Sequence, residues 1–355
     1  MPSASAPPGP ANLLDHVFGV LLPGRRQESL DALTHAGFIG TSSVPLWTAE
    51  LARKDLVSPF YDWQLNRFKL ALDQTILDEQ IGPLSSRKTQ GIVRNAMQCL
   101  ALAGETTRLS LAQIVGKKII DFGSGVYCPL AVGMVLYANG FAQVVGCEPF
   151  SLDEALAYGS VFETIRNAFA DPSSFNFSGI ANEQMLKRLA ELDFSGLRDK
   201  LARFNADASD EISLGPVRLV RSTQHPACAD FDLMISNSVL EHVSDLGTEL
   251  QTHRRLMRPG ALCVHTVDFS DHRANGTGLD PFGMYYDDVF AHAINGLRSS
   301  DLLTLFPQSG LRVLASKIST AAPEYIAFDR LTERFRAYTP EQLCGFVGRF
   351  VLTAD

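Results

Sequence analysis

The stretch Lys117-Lys118-Ile119-Ile120-Asp121-Phe122-Gly123-Ser124-Gly125-Val126-Tyr127-Cys128-Pro129 decides the fold. Ile119 and Ile120 are apolar and β-branched, as a buried strand requires. Gly123 and Gly125 suit a backbone that turns tightly and comes close to a ligand. Residues 130–140 can carry a crossover helix, and Val144-Val145-Gly146-Cys147 reads as the next parallel strand, ending in the carboxylate of Glu148. Strand, glycine turn, helix, strand and terminal acid make a nucleoside-binding βαβ unit, in which the second acid holds the ribose hydroxyls.

A dinucleotide fingerprint carries a third glycine that lets the helix pack close to the strand, with a pyrophosphate on the helix end. Here Gly125 is followed by Val126-Tyr127-Cys128-Pro129, and no glycine falls in that place. Bulky residues there crowd a pyrophosphate but not a sulfonium, which disfavours a dehydrogenase. Asp121-x-Gly123-x-Gly125, with an acid closing strand two, resembles the class I S-adenosylmethionine-dependent methyltransferases.

Two later segments extend the resemblance. In Asp230-Phe231-Asp232-Leu233-Met234-Ile235-Ser236-Asn237-Ser238-Val239-Leu240-Glu241-His242-Val243, an acid pair leads into a buried strand with Ser236 and Asn237 at its carboxyl end. Open α/β sheets bind ligands at that end of their strands. Arg254-Arg255-Leu256-Met257-Arg258-Pro259-Gly260-Ala261-Leu262 then resembles the family's helix, R-x-L-x-x-P-G turn and fifth strand. The three motifs stand in the family's order and cover roughly residues 117–320. Elements around Val239–His242, His265–Asp268, Asp271-His272 and Asn295–Asp301 resemble a poorly characterised bacterial subgroup.

The resemblance implies S-adenosyl-L-methionine as cofactor. It assigns Gly123, Ser124 and Gly125 to the methionine half and Glu148 to both ribose hydroxyls. Pro149 and Phe150 belong to the same set, with Phe150 stacked near the adenine. Asp121 acts through water or backbone, or braces the loop. After strand three the family offers an acid to the adenine amine, whereas this chain has Ser222-Thr223-Gln224, leaving Gln224 or Thr223 as the substitute. Asn237, Ser238 and His242 complete the cofactor set after strand four. Tyr61, Gln90 or Arg94 would reach the methionine carboxylate, Arg94 being favoured for its bidentate fork.

The expected architecture is α/β: a Rossmann-like, mostly parallel, seven-stranded sheet whose last strand is antiparallel, with an N-terminal helical region. Strands are expected near 117–122, 143–148, 217–221, 231–236, 260–267, 311–318 and 349–353. Residues 1–12 read as a disordered tail and 13–115 as a helical lid or substrate region, with a dimerisation appendage as the alternative. Residues 116–355 read as the cofactor-binding domain, with a helical insertion near 153–211 and a loop insertion near 268–298.

Composition bounds the partners. The chain has 355 residues, 46% hydrophobic and 20% charged, with a net charge of −8, values of a globular enzyme with no broad nucleic-acid footprint. The N-terminus lacks the basic and apolar regions of a signal peptide, and the most apolar stretch, 130–147, is broken by Gly133, Asn139, Gly140, Gln143 and Gly146. The six cysteines are scattered, with no C-x-x-C pair and no histidine at zinc spacing, so reduced thiols and no metal site are expected. These features suit a cytoplasmic protein with a small-molecule substrate, no nucleic acid and no membrane; the oligomeric state is left open.

Methyl transfer from a sulfonium is an in-line displacement in which positioning does much of the work, and a base is needed only for a protonated amine or a weakly acidic hydroxyl. Candidates follow strand five at Asp268, Asp271 and His272. His265, inside the strand, reads as a satisfied buried histidine. His272 is the expected base, with Asn237 and Tyr285 as positioning groups and the acceptor near Tyr285-Tyr286. The leading reading is a methyltransferase acting on a small molecule in a biosynthetic pathway. The alternatives are a cyclase of the azetidine-2-carboxylate synthase type, which releases methylthioadenosine, and a non-catalytic cofactor-binding subunit.

Overall fold

The computed structural model describes residues 111–354, apart from 171, 195, 226, 275–278 and 291–293. The expected tail, most of the expected helical region and Tyr61, Gln90 and Arg94 lie outside the described residues.

Eight strands follow the order β3-β4-β2-β1-β5-β6-β8-β7. They are β1 (Lys118–Phe122), β2 (Gln143–Cys147), β3 (Glu211–Ser213), β4 (Val217–Val220), β5 (Phe231–Asn237), β6 (Met257–Asp268), β7 (Leu311–Thr320) and β8 (Gly345–Ala354). The pairs β1–β5, β2–β4 and β5–β6 are parallel. β8 runs antiparallel to both β6 and β7, as expected of the closing strand. The eighth strand corrects the expected seven: β3 is a three-residue edge antiparallel to β4, too short to leave an alternating pattern in the sequence.

The chain divides into two compact units, one holding residues 111–117 and 124–225, the other 118–123 and 227–354. In the first, helix α1 (Ala131–Ala138) buries nearly every residue, which explains its uniformly apolar sequence. Between β2 and β3 lie the helices α2 (Glu154–Ala170), α3 (Asn182–Ala190) and α4 (Leu197–Asn205). Buried Asn139, just past α1, stitches this segment on: its Nδ2 donates to Val135 O and Phe175 O at 2.9 and 2.8 Å, and its Oδ1 accepts from Phe177 N at 2.9 Å. Arg188 on α3 donates to Tyr137 O at 2.8 Å and to Phe141 O, its guanidinium 4.1 Å from the Tyr137 ring centroid. Among the described residues no helix is long and apolar enough to cross a membrane, and Cys128, Cys147, Cys228, Cys263 and Cys344 are free thiols.

In the second unit, helix α5 (Leu246–Leu256) begins at Asp245, whose carboxylate accepts from Thr248 N at 3.1 Å, a side-chain N-cap. Helix α6 (Ser299–Gln308) precedes β7. His265 is fully buried, its Nδ1 2.8 Å from Ser236 Oγ and its ring stacked 5.6 Å from His253. Burial holds its pKa well below the ordinary histidine value. It is the buried core histidine the sequence suggested, but only half satisfied: Nδ1 meets Ser236 Oγ, while Nε2 has no hydrogen-bond partner among the described residues.

Candidate functional site

In the first unit the glycine turn and the end of β2 are built as one structure. Gly125 has φ +83°, and a Cβ placed on it would meet none of the described residues within 4 Å. Its N–H donates to Glu148 Oε2 at 2.8 Å, and Phe150 N–H donates to Oε1 at 3.1 Å. Glu148 is 4% exposed, and burial raises its pKa above the ordinary carboxylate value against the pull of these two donors. Ser124 N–H donates to Cys147 O at 3.1 Å, and a Cβ on Gly146 would overlap the Ser124 hydroxyl, so β2 and the turn touch only because residue 146 is glycine. Pro149 and Phe150 are exposed, the Phe150 ring at 67%. Each carboxylate oxygen already holds a backbone donor and keeps a second lone pair for another.

Arg221 belongs to this constellation and was missed in the sequence. It follows β4, and Cys147 pairs with Val220, so the register sets Arg221 beside Glu148. It donates to Pro149 O at 3.2 Å and to Phe204 O, pairs with Asp207 at 3.2 Å, and its charge favours the ionised form of Glu148. A basic residue one step past a strand parallel to the one ending in the acid was the readable signal. Thr223 and Gln224 lie in the turn after β4, Gln224 exposed with its N–H on Ser222 Oγ at 3.1 Å.

In the second unit Asp121 is buried at the end of β1, and Gly123 follows with φ +74°, where a Cβ would overlap Val239. Asn237 and Ser238 are exposed at the carboxyl end of β5. Ser238 has φ +55°, a left-handed conformation that costs energy in a residue with a Cβ and clusters at functional sites. Its N–H donates to Thr266 O at 2.8 Å.

Next to this segment the structure gathers four titratable groups. Glu241 and His242 sit in the turn Leu240–His242, and His272 opens the turn His272–Ala274 after β6. The His242 and His272 rings are 4.9 Å apart. Asp268 Oδ2 lies 3.8 Å from His272 Nε2. Glu241 is 4% exposed; its Oε1 accepts from Asp268 N–H at 3.2 Å, and burial with the nearby Asp268 charge pushes its pKa up to about 8. Sequence reading passed over Glu241. Its companion His272 stands 31 positions away, and only the parallel pairing of β5 with β6 brings the two turns together. No metal site was expected, yet one ligand atom from each of Glu241, His242 and His272 lies within 4.8 Å of the other two.

Two other expectations change. Asp271 faces Arg273 rather than its neighbour His272: Nε and Nη2 of Arg273 reach Asp271 Oδ2 at 2.9 and 2.6 Å. Tyr285 is fully buried, its hydroxyl donating to Leu343 O at 2.9 Å and its ring 4.6 Å from Phe335. Burial raises its pKa beyond the ordinary tyrosine range. That geometry gives Tyr285 a task in the core rather than against an acceptor. The loop does border a cavity of about 570 Å³ with Phe282, Phe346, Tyr325, Asp280 and Glu324 among its walls. Main-chain bonds from Asp271 N to Pro281 O (2.7 Å) and from Phe269 N to Phe346 O (2.9 Å) tie its rim to the segment bearing His272.

A search of curated protein sequences found no match. Among solved structures the chain is similar to the [4+2]-cyclase SpnF, at 15% identity over 71% of this chain and 78% of that one, TM-score 0.36. It is similar also to an arsenic(III) S-adenosylmethionine methyltransferase from Chlamydomonas reinhardtii, at 15% over 68% and 64%, TM-score 0.37. A third is an S-adenosylmethionine-dependent methyltransferase from Mesorhizobium loti, at 14% over 68% and 92%, TM-score 0.35. The family model described as a methyltransferase domain matches residues 94–316, more than half of the sequence, and the chain belongs to that family.

Proposed function

We propose that this protein is an S-adenosylmethionine-dependent methyltransferase acting on a small-molecule acceptor. The observation that carries the reading is the open glycine turn whose Gly125 N–H is held by the buried Glu148 carboxylate at the end of β2. A glycine whose Cβ position no described residue fills and a carboxylate with unused lone pairs fit the methionine half and the ribose of such a cofactor. When bound, it supplies an activated methyl group. Glu148 would accept the ribose hydroxyls, Gly123–Gly125 would admit the cofactor to the backbone, and the exposed Phe150 ring would cover the adenine. The 570 Å³ cavity falls in the range of small-molecule sites and supports an acceptor of that size. On the acceptor side the reading replaces Tyr285 by the cluster of Glu241, His242, Asp268 and His272.

Two measurements test it. Incubation with labelled S-adenosylmethionine, alone and with cell extract, should yield S-adenosylhomocysteine, and only when an acceptor is supplied. Methylthioadenosine from the protein alone would instead establish the cyclase alternative; no turnover under any condition would favour a binding subunit. Separately, Glu148→Ala should weaken S-adenosylmethionine binding by about 1–3 kcal/mol in calorimetry, because it removes the ribose acceptor and releases the Gly125 and Phe150 donors together. Unchanged affinity in that variant would remove the assignment of the cofactor to this turn.

A further inference from the structure

We infer that Glu241, His242 and His272 form a binding site for a divalent first-row transition-metal ion. The three come from two turns that the fold fixes. β5 and β6 run parallel and in register as far as Asn237 and Thr266, so the segments leaving their carboxyl ends emerge side by side. The first turn is pinned by Asn295, whose side-chain amide donates to Leu240 O at 2.8 Å and Val243 O at 3.0 Å, and whose N–H donates to Glu241 O at 2.6 Å. The second is pinned by the Asp271 N–H bond to Pro281 O and the Arg273 clamp. With their backbones set, the two imidazoles and the carboxylate converge until one ligand atom from each lies within 4.8 Å of the other two.

An independent observation points to a ligand. Glu241 is more than nine-tenths buried, and while Oε1 accepts the Asp268 N–H, its Oε2 makes no hydrogen bond among the described residues. A buried carboxylate oxygen left in that state is costly, and evolution of a stable fold has cheaper residues for the position. A cation meets the demand. Metal–nitrogen and metal–oxygen distances near 2.0–2.2 Å place ligand atoms roughly 3–3.5 Å apart around one ion, so loading draws the three in from their present spread of up to 4.8 Å. Two imidazoles with one carboxylate select zinc, cobalt, iron or manganese over calcium and magnesium, which take all-oxygen shells. Asp268, 3.8 Å from His272 Nε2, stands where a carboxylate orients a ligating histidine or takes a further coordination position. Three protein ligands leave positions for an oxygen of an acceptor. That use of the ion rests on the methyltransferase reading; binding of the ion does not.

The test uses the full chain, stripped with a chelator and titrated with cobalt(II), followed by visible absorption and calorimetry. One equivalent should bind and give ligand-field bands. Affinity should fall at least about 10-fold in His272→Ala and in Glu241→Gln, a loss no smaller than outer-shell changes cause. It should hold in His225→Ala, whose imidazole lies in the other unit against Asp210 and Glu211. X-ray absorption of the wild-type protein loaded with one equivalent of zinc reads the ligands without any variant, and should show two imidazoles with oxygen donors. Absence of saturable binding at one equivalent, a spectrum without imidazole, or affinity untouched in both His272→Ala and Glu241→Gln would overturn the site. S-adenosylmethionine affinity of the stripped protein, expected to be unchanged, reports on the cofactor separately, so either idea can fail alone.

Discussion

His272→Ala is expected to lower turnover by about a hundredfold or more while S-adenosylmethionine affinity stays within a few-fold of the wild-type value. The separation follows from where the residue stands. His272 is buried beside His242, Glu241 and Asp268, and it is not one of Glu148, Gly125 and Phe150, the groups proposed to hold the nucleoside. Removing the imidazole should therefore spare cofactor binding and reduce what happens to the acceptor. The loss should appear in kcat more than in KM if His272 acts in the transition state, either by taking a proton or by holding an ion that does the polarising. Calorimetry for the cofactor and steady-state kinetics with the identified acceptor make the comparison. A variant within threefold of wild type in kcat would remove His272 from the chemistry. Parallel losses of activity and melting temperature would reduce it to a brace for the loop.

How much of this was legible in the sequence depended on range. Seven strands could be read because each is a run of apolar residues, such as Ile119-Ile120 or Leu233-Met234-Ile235, between polar or glycine stops. β3 escaped because three residues carry no pattern. The glycine turn and Glu148 were readable because all their parts lie within one βαβ unit. Their mutual hydrogen bond was not, since a sequence shows a carboxylate and a glycine but not that the N–H points at the oxygen. Tyr285 shows the same limit from the other side. An aromatic residue in a polar loop advertises a pocket, and only packing reveals that the ring turns inward to Phe335 and the hydroxyl to Leu343. Glu241 was overlooked because its significance needs a partner from another turn, and the parallel register of two strands supplies it.

Arg298→Met should cost the second unit about 3–5 kcal/mol of stability, because three buried carbonyls lose a charged donor. Arg298 has no exposed surface. Its Nη1 donates to Phe269 O at 2.8 Å, and its Nη2 donates to Leu343 O at 3.3 Å and to Gly345 O. The guanidinium also lies 5.0 Å from the Phe269 ring and 5.1 Å from the Tyr285 ring, and its backbone N–H caps α6 on Asp301 at 2.7 Å. Methionine matches the length of the side chain and fills much of its volume, so the loss isolates the donors. Three carbonyls would then lose a donor, each at a cost of about 1–3 kcal/mol, offset in part because no cation need be buried. Tyr285→Phe removes only one of two donors to Leu343 O and should cost about 1 kcal/mol. The functional consequence follows from chain order. Phe269 stands three residues before His272, and Gly345 opens β8. Arg298 thus ties the segment bearing the imidazole to the strand that closes the sheet. Arg298→Met should lower the melting temperature and loosen the His272 loop, read as faster amide exchange between Phe269 and Arg273. A stability change under about 1 kcal/mol, with exchange in that loop unaltered, would show that the surrounding core holds it without the arginine.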